Sequence, residues 1–281
     1  MNSSLAPPAV CSTGARPALC RFRLALHCCV LLLAITLPMA GHAQHFVIYT
    51  HSLDKQSEVI DGQLRGREHA GKRAFYLELV NALLLEMQHP QPIIEVPLAR
   101  GLAELQARDN VVLFNLSKTP ERQPMAYWLG PTLKETDYLY ESSQRPTGIQ
   151  TLEEARDLEV CVLNGSSHDE ELSALGFTRL QRNNAYANCF GMLAAGRVAL
   201  VASADVGLEQ KLHHARVPLD AVKASPVQLG SDQGYIALSR SMSPQAIALW
   251  REAFERLRRD GRLQALYERY ALPATAAPAG R

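Results

Sequence analysis

Phe46-Val47-Ile48-Tyr49-Thr50, Lys72 to Gln88, Ile93-Ile94-Glu95-Val96, Ala99 to Ala107, and Val111-Val112-Leu113-Phe114 follow one another in a single stretch of chain. The first run is short, apolar and β-branched, bounded by polar residues, which is the pattern of a strand. A polar stretch with Gly62, Gly66 and Gly71 leads to the second run. There Phe75, Leu79, Val80, Leu83 and Met87 fall on one face at helical spacing, and Pro90 and Pro92 stop the helix. The third and fifth runs read as strands and the fourth as a short helix. Strand–helix–strand–helix–strand predicts an α/β fold with an open, mainly parallel sheet covered by helices.

Working outward, a second unit begins near residue 142. Ser142 to Ile149 has linker composition, and Thr151-Leu152-Glu153-Glu154 reads as a capping box. Val160 to Leu163 is a strand, Asn164-Gly165-Ser166-Ser167 a loop, and Asp169 lies in an acidic helix start. Ala185 to Ala195 reads as a helix ended by Gly196, and Val198 to Val201 as a buried strand. The chain then returns. Tyr235 to Leu238 is a strand, and Ser243-Pro244 opens a helix with Ile247, Trp250, Phe254 and Leu257 on one stripe. Gly261 precedes a last helix with Leu263, Leu266, Tyr267 and Tyr270. Two series and a return predict two lobes, one discontinuous (44–140 plus 234–272) and one inserted (141–233). The two crossovers, near Tyr138–Ser142 and Gly230–Gly234, form a two-strand hinge. Residues 273–281 are expected to be a disordered tail.

The first 43 residues contain no acid and carry Arg16, Arg21 and Arg23 ahead of an apolar run from Leu24 to Met39. Pro38 and then Gly41-His42-Ala43 predict an export signal cut after Ala43. The rival is a retained anchor, but the run is about 16 residues against the roughly 20 that span a bilayer. Setting those three arginines aside leaves 26 basic against 28 acidic side chains from the totals of 29 and 28. So balanced a chain argues against nucleic acid and against an anionic membrane surface. Cys161 and Cys189 remain, either a disulfide or two buried small side chains; a zinc site would need more ligands at closer spacing. No metal, cofactor, phosphate-loop or hydrolase motif is present. His213-His214 cannot chelate from one helix face, and His51, His69 and His168 are scattered.

Phe114-Asn115-Leu116-Ser117-Lys118-Thr119-Pro120-Glu121-Arg122, followed by Tyr127-Trp128-Leu129-Gly130-Pro131, resembles the extracellular solute-binding proteins of family 3. That group includes polar amino-acid receptors of ABC importers. Val160 to Ser167, Met192 to Val198 and Arg259-Asp260-Gly261-Arg262-Leu263 match further motifs in the family's order, and the resemblance spans roughly 45–272. It implies the two-lobed periplasmic binding protein fold, each lobe an open mixed or mainly parallel sheet flanked by helices, and a periplasmic monomer without a cofactor that hands a small solute to an ABC permease or a membrane sensor. A lyase on the same scaffold is the enzymatic alternative, with Glu141 or His168 as acid or base. Val96-Pro97-Leu98-Ala99-Arg100 and the Trp-Leu-Gly-Pro stretch look like an orphan branch.

The resemblance assigns Arg122 to a ligand carboxylate and Ser117 to a supporting bond. A guanidinium offers the planar fork such an anion needs, though a loop arginine can equally pair with a neighbouring acid such as Glu121. Ser166 and Ser167 offer hydroxyls and backbone N–H groups to an anion, or simply cap a helix. Asn115 is a further polar contact, Trp128 a wall of the cleft, and Arg100 either reaches the cleft or caps its own helix. The acid that holds the amino group in amino-acid receptors falls near Ala204, with Asp205 one place later and a short gap needed to bring it into register.

Overall fold

The computed structural model describes residues 45–53, 55–270 and 272. The expected export signal and the expected tail lie outside the described residues.

The first strand, β1 (Val47–Thr50), lies between β4 (Ile93–Glu95) and β5 (Val111–Ser117), parallel to both. The intervening helices are α1 (Lys72–Glu86) and α2 (Leu98–Ala107). This is the expected alternation. Between β1 and α1, where a polar stretch was read, the chain folds into a hairpin of β2 (Ser57–Ile60) and β3 (Gln63–Gly66). Its turn is Asp61-Gly62, both left-handed at φ 51° and 76°, the pairing that suits a two-residue hairpin. Gly66 closes it against α1: a Cβ there would lie 2.3 Å from the Ala74 carbonyl oxygen.

Two long strands cross the middle of the molecule, β6 (Ala126–Ser142) and β10 (Val222–Ser239), antiparallel to each other. One end of β10 pairs with β5 through Gly234–Leu238, and the far end of β6 pairs with β9 (Leu200–Ala204) through Asp137–Glu141. Beyond β9 come β7 (Val160–Leu163) and β8 (Leu180–Asn183), parallel again. The eight-stranded order is β4-β1-β5-β10-β6-β9-β7-β8. The sheet is therefore mixed, parallel at each end and joined by an antiparallel ribbon, in keeping with the mixed or mainly parallel sheet expected. The helices of the far end are α3 (Ser167–Ala174), α4 (Tyr186–Ala194) and α5 (Leu208–Ala215). The chain returns as α6 (Pro244–Arg259) and α7 (Arg262–Arg269).

One core lies under α1, α6 and α7, with Phe46, Phe75, Trp250 and Tyr267 buried together. The Phe75 and Tyr267 rings stack at 5.0 Å. Ser243 caps α6 as expected, its Oγ accepting from the Ala246 N–H at 3.2 Å. A separate core holds Leu139, Val160, Leu172, Phe177 and Leu200 at the far end. A third runs from Leu98 and Leu116 across to Leu163 and Phe190, so apolar side chains of both ends meet. Cys161 and Cys189 form a disulfide with Cα atoms 5.4 Å apart, tying β7 to α4. Of the two readings left open above, this is the bridge.

Candidate functional site

A cavity of about 60 Å³ lies where the two ends face each other across the ribbon. Three helix starts converge on it. Lys72 and Arg73 open α1, Ser166, Ser167 and His168 open α3, and Gly207 precedes α5. Partial positive charge gathers at such N-termini. Lys72 and Arg73 sit in the first turn of α1, which has no acid, a placement that opposes the helix dipole.

Arg122 lines this cavity with its side chain 2% exposed. Its guanidinium grips a carboxylate belonging to the protein itself. Nε lies 2.9 Å from Glu170 Oε2, Nη2 donates to Glu170 Oε1 at 2.9 Å, and Nη2 also donates to the Gly165 carbonyl at 2.7 Å. Glu170 is on α3, and Arg122 lies just beyond β5, so the pair bridges the two ends of the sheet. Beside it, Ser167 Oγ donates to Ser117 Oγ at 3.2 Å. Both serines line the cavity.

Ser166 lines the cavity and also caps α3, its Oγ accepting from the Asp169 N–H at 3.2 Å. Asp169 returns the favour by accepting from the Gly165 N–H at 3.0 Å, a reciprocal cap. Asn115 lines the cavity in a left-handed conformation, φ 63°, and its carbonyl accepts from His51 Nε2 at 3.0 Å. Because that oxygen can only accept, the proton is on Nε2. Burial, then the charge of Arg73, pushes His51 down to about 3, so its ring is neutral.

Three expected contacts lie elsewhere. Arg100 is 66% exposed at its side chain and leans toward Glu104 on its own helix at 3.9 Å. The Trp128 indole donates to the Gln123 carbonyl at 3.1 Å and meets Tyr235 edge-on. Asp205 turns its carboxylate onto the Thr136 and Val206 N–H groups, at 3.0 and 2.7 Å, so it pins the ribbon to the β9 loop. None of the three lines the cavity, whereas Ala204 does.

The structure adds residues that the sequence reading passed over. Glu135, Asp137 and Asp232 line the cavity from the ribbon; Asp232 and Glu135 are cross-strand partners. Glu135 pairs with Lys72. His168 Nε2 lies 2.9 Å from Asp137 Oδ1, and its Nδ1 is 3.3 Å from the Tyr186 hydroxyl. Burial works to raise Asp137, but its pairing with His168 outweighs that and holds it below the usual carboxylate range. Burial raises Asp232. Lys211, on α5, is buried with Nζ donating to Ser203 Oγ at 2.8 Å, the Ala204 carbonyl at 2.9 Å and the Val206 carbonyl at 3.2 Å. It lies 4.9 Å from the centre of the Tyr186 ring. Burial first, then Arg73 and Lys72, push its ammonium down to about 7. The site is thus a charged, closely matched chamber built from both ends of the sheet. It suits gripping a small polar solute.

No family model matches the chain, and no curated protein matches its sequence. Solved structures do match it. A histidine kinase sensor domain with similarity to periplasmic binding proteins superposes with a TM-score of 0.70 at 16% identity, over 83% of this chain and 98% of that one. A variant of ArgBP from T. maritima gives 0.66 at 17% identity, over 80% and 95%. The substrate-binding protein of an amino acid ABC transporter gives 0.64 at 15%, over 80% and 98%. The fold is that of the two-lobed periplasmic binding proteins. In this fold the cavity lies at the ribbon that joins the two ends of the sheet. Among the described residues no helix is long and apolar enough to cross a membrane, and no cluster of metal-ligating side chains is found.

Proposed function

We propose that the protein is an exported solute receptor of the periplasm, which closes its lobes on a small carboxylate-bearing ligand and presents it to an ABC importer. One observation carries this reading. Arg122, buried between the lobes, already holds a carboxylate in the geometry a ligand would use. Ser117 and Ser167 stand beside it from opposite lobes. In this reading residues 44–140 and 234–272 move as one lobe, 141–233 as the other, and the ribbon is the hinge. The receptor works as a monomer and needs no cofactor. A thermal-shift screen across organic acids, amino acids and polyamines tests the proposal. A solute at 100 times its dissociation constant stabilises by about 2.7 kcal/mol, and a screen in which no organic or amino acid raises the melting temperature would sink it.

Two other readings each have an observation behind them. The sensor-domain match favours a closed form read by a membrane signalling protein instead of a permease. The Asp137–His168 pair facing the cavity is the arrangement a lyase would use to orient a base. Turnover of a bound solute would select that last reading.

A further inference from the structure

The cavity is specific about charge. Lys72, Arg73, Arg122 and Lys211 line it against Glu135, Asp137 and Asp232, so it holds one more cation than anion when Lys211 is protonated. Glu170, which balances Arg122, is not part of the lining and is one-third exposed. A ligand that takes the guanidinium sends Glu170 back to water, and the chamber then favours a solute with net negative charge. Two buried acceptors of residues that line the cavity, Glu135 Oε2 and Asn115 Oδ1, have no hydrogen-bond donor among the described residues. Buried acceptors are costly when unmet, so a solute that brings donors is favoured.

Those donors are better supplied by hydroxyls than by an ammonium. The other oxygen of Glu135 is already on Lys72, and Arg73 and Lys211 line the same small space. A further ammonium would meet three cations. Lys211 and Ala204 both line the cavity, and the ammonium of Lys211 is bonded to the Ala204 carbonyl. The protein's own amine fills that corner.

We propose that the ligand is a small hydroxycarboxylic acid without an ammonium group, its carboxylate on Arg122, its hydroxyl on Glu135 and Asn115, and Lys211 supplying the charge that selects an anion. This deepens the receptor reading above and rests on it.

The test compares matched skeletons: malate, succinate and aspartate; glycerate, propionate and serine; with arginine as the cationic control. Titration calorimetry at pH 7 is run in buffers of different ionisation enthalpy. The hydroxy acid of at least one set binds at least tenfold tighter than its deoxy and amino counterparts, and arginine does not bind. An anion beside Lys211 raises its proton affinity, which burial and the neighbouring cations lower, so binding at pH 7 is accompanied by proton uptake. The groups facing Nζ across the cavity are Lys72 and Arg73 from α1 and Glu135 and Asp137 from β6. Lys211→Met removes the proton uptake and at least tenfold of the affinity; the wild-type buffer series stands by itself if that variant does not fold. An amino acid that outbinds its hydroxy counterpart overturns this inference and leaves the receptor reading intact. Binding of the hydroxy acid with no proton uptake removes Lys211 from it. If neither the acids nor the amino acids bind, both readings fall.

Discussion

Glu170→Gln frees the guanidinium that the protein now occupies with its own carboxylate. Glu170 takes both Nε and Nη2 of Arg122, at 2.9 to 3.1 Å. A ligand carboxylate must displace it. Charge-assisted hydrogen bonds contribute about 1.5–3 kcal/mol, and one partner being a third exposed reduces that. About 1–2 kcal/mol is a fair figure for the pair. Glutamine keeps one acceptor but turns an amide N–H₂ toward the fork, so most of that energy is lost. An anionic ligand then binds about 5- to 30-fold tighter, while the ligand-free protein melts about 2–8 °C lower. Titration calorimetry with the first solute found reads the affinity, and calorimetric melting reads the stability. Glu171→Gln is the control, since the neighbouring Glu170 is the acid that holds Arg122. Unchanged or weaker anion binding in Glu170→Gln would refute the competition, and an equal effect from Glu171→Gln would mean that general surface charge is responsible.

Three further outcomes follow from the fold. Replacing Cys161 and Cys189 together by alanine opens a loop of sequence separation 28, which costs about 3–4 kcal/mol in the chain-entropy view; an unchanged melting temperature would contradict it. Gly66→Ala drives a methyl into the Ala74 carbonyl, so β3 or α1 must shift, at about 1–3 kcal/mol, measured by urea unfolding. His51 is held neutral down to about 3, well below an unfolded histidine near 6.5. The unfolded chain therefore binds the extra proton first, and stability falls as the pH drops below about 6.5, by about 1.4 kcal/mol per pH unit from this group. His51→Gln flattens that part of the acid-unfolding curve; an identical curve would show that the ring is protonated in the folded state.

The parts of the fold with strong local periodicity were legible. The alternation from Phe46 to Phe114, the Ser243-Pro244 start and the stripe from Ile247 to Leu257 all carry their burial in their spacing. The long ribbon was not, because strands such as β10 run half-exposed through polar residues (Gly230, Ser231, Asp232, Gln233) with no clean alternation. Only its Tyr235–Leu238 end, buried against β5, reads as a strand. The hairpin at Ser57–Gly66 was legible in principle: Asp61-Gly62 between alternating residues is a turn signal. Within the site, the end of β5 and the loop after it put Asn115, Ser117 and Arg122 at the cavity. Trp128, Arg100 and Asp205 are a strand or a turn away from it, and direction of a side chain is set by packing that spacing does not report. Lys72 and Arg73 carried a faint signal, two cations where a helix dipole disfavours them. Lys211 carried none, since its burial depends on α5 folding against β9, and a lysine in a short polar helix is ordinarily solvated.

Whether Arg122 anchors the solute is decided by one comparison, the dissociation constants of wild type, Arg122→Ala and Arg122→Lys for the first anionic ligand found, by titration calorimetry. Truncation leaves a carboxylate unpaired inside a closed cleft, at about 2–5 kcal/mol, or roughly 30- to several thousand-fold. Lysine restores charge without the planar fork and falls short of rescue. An alanine variant that binds as tightly as wild type would contradict the account, and Arg122 would then be a strut between the lobes with the solute held elsewhere.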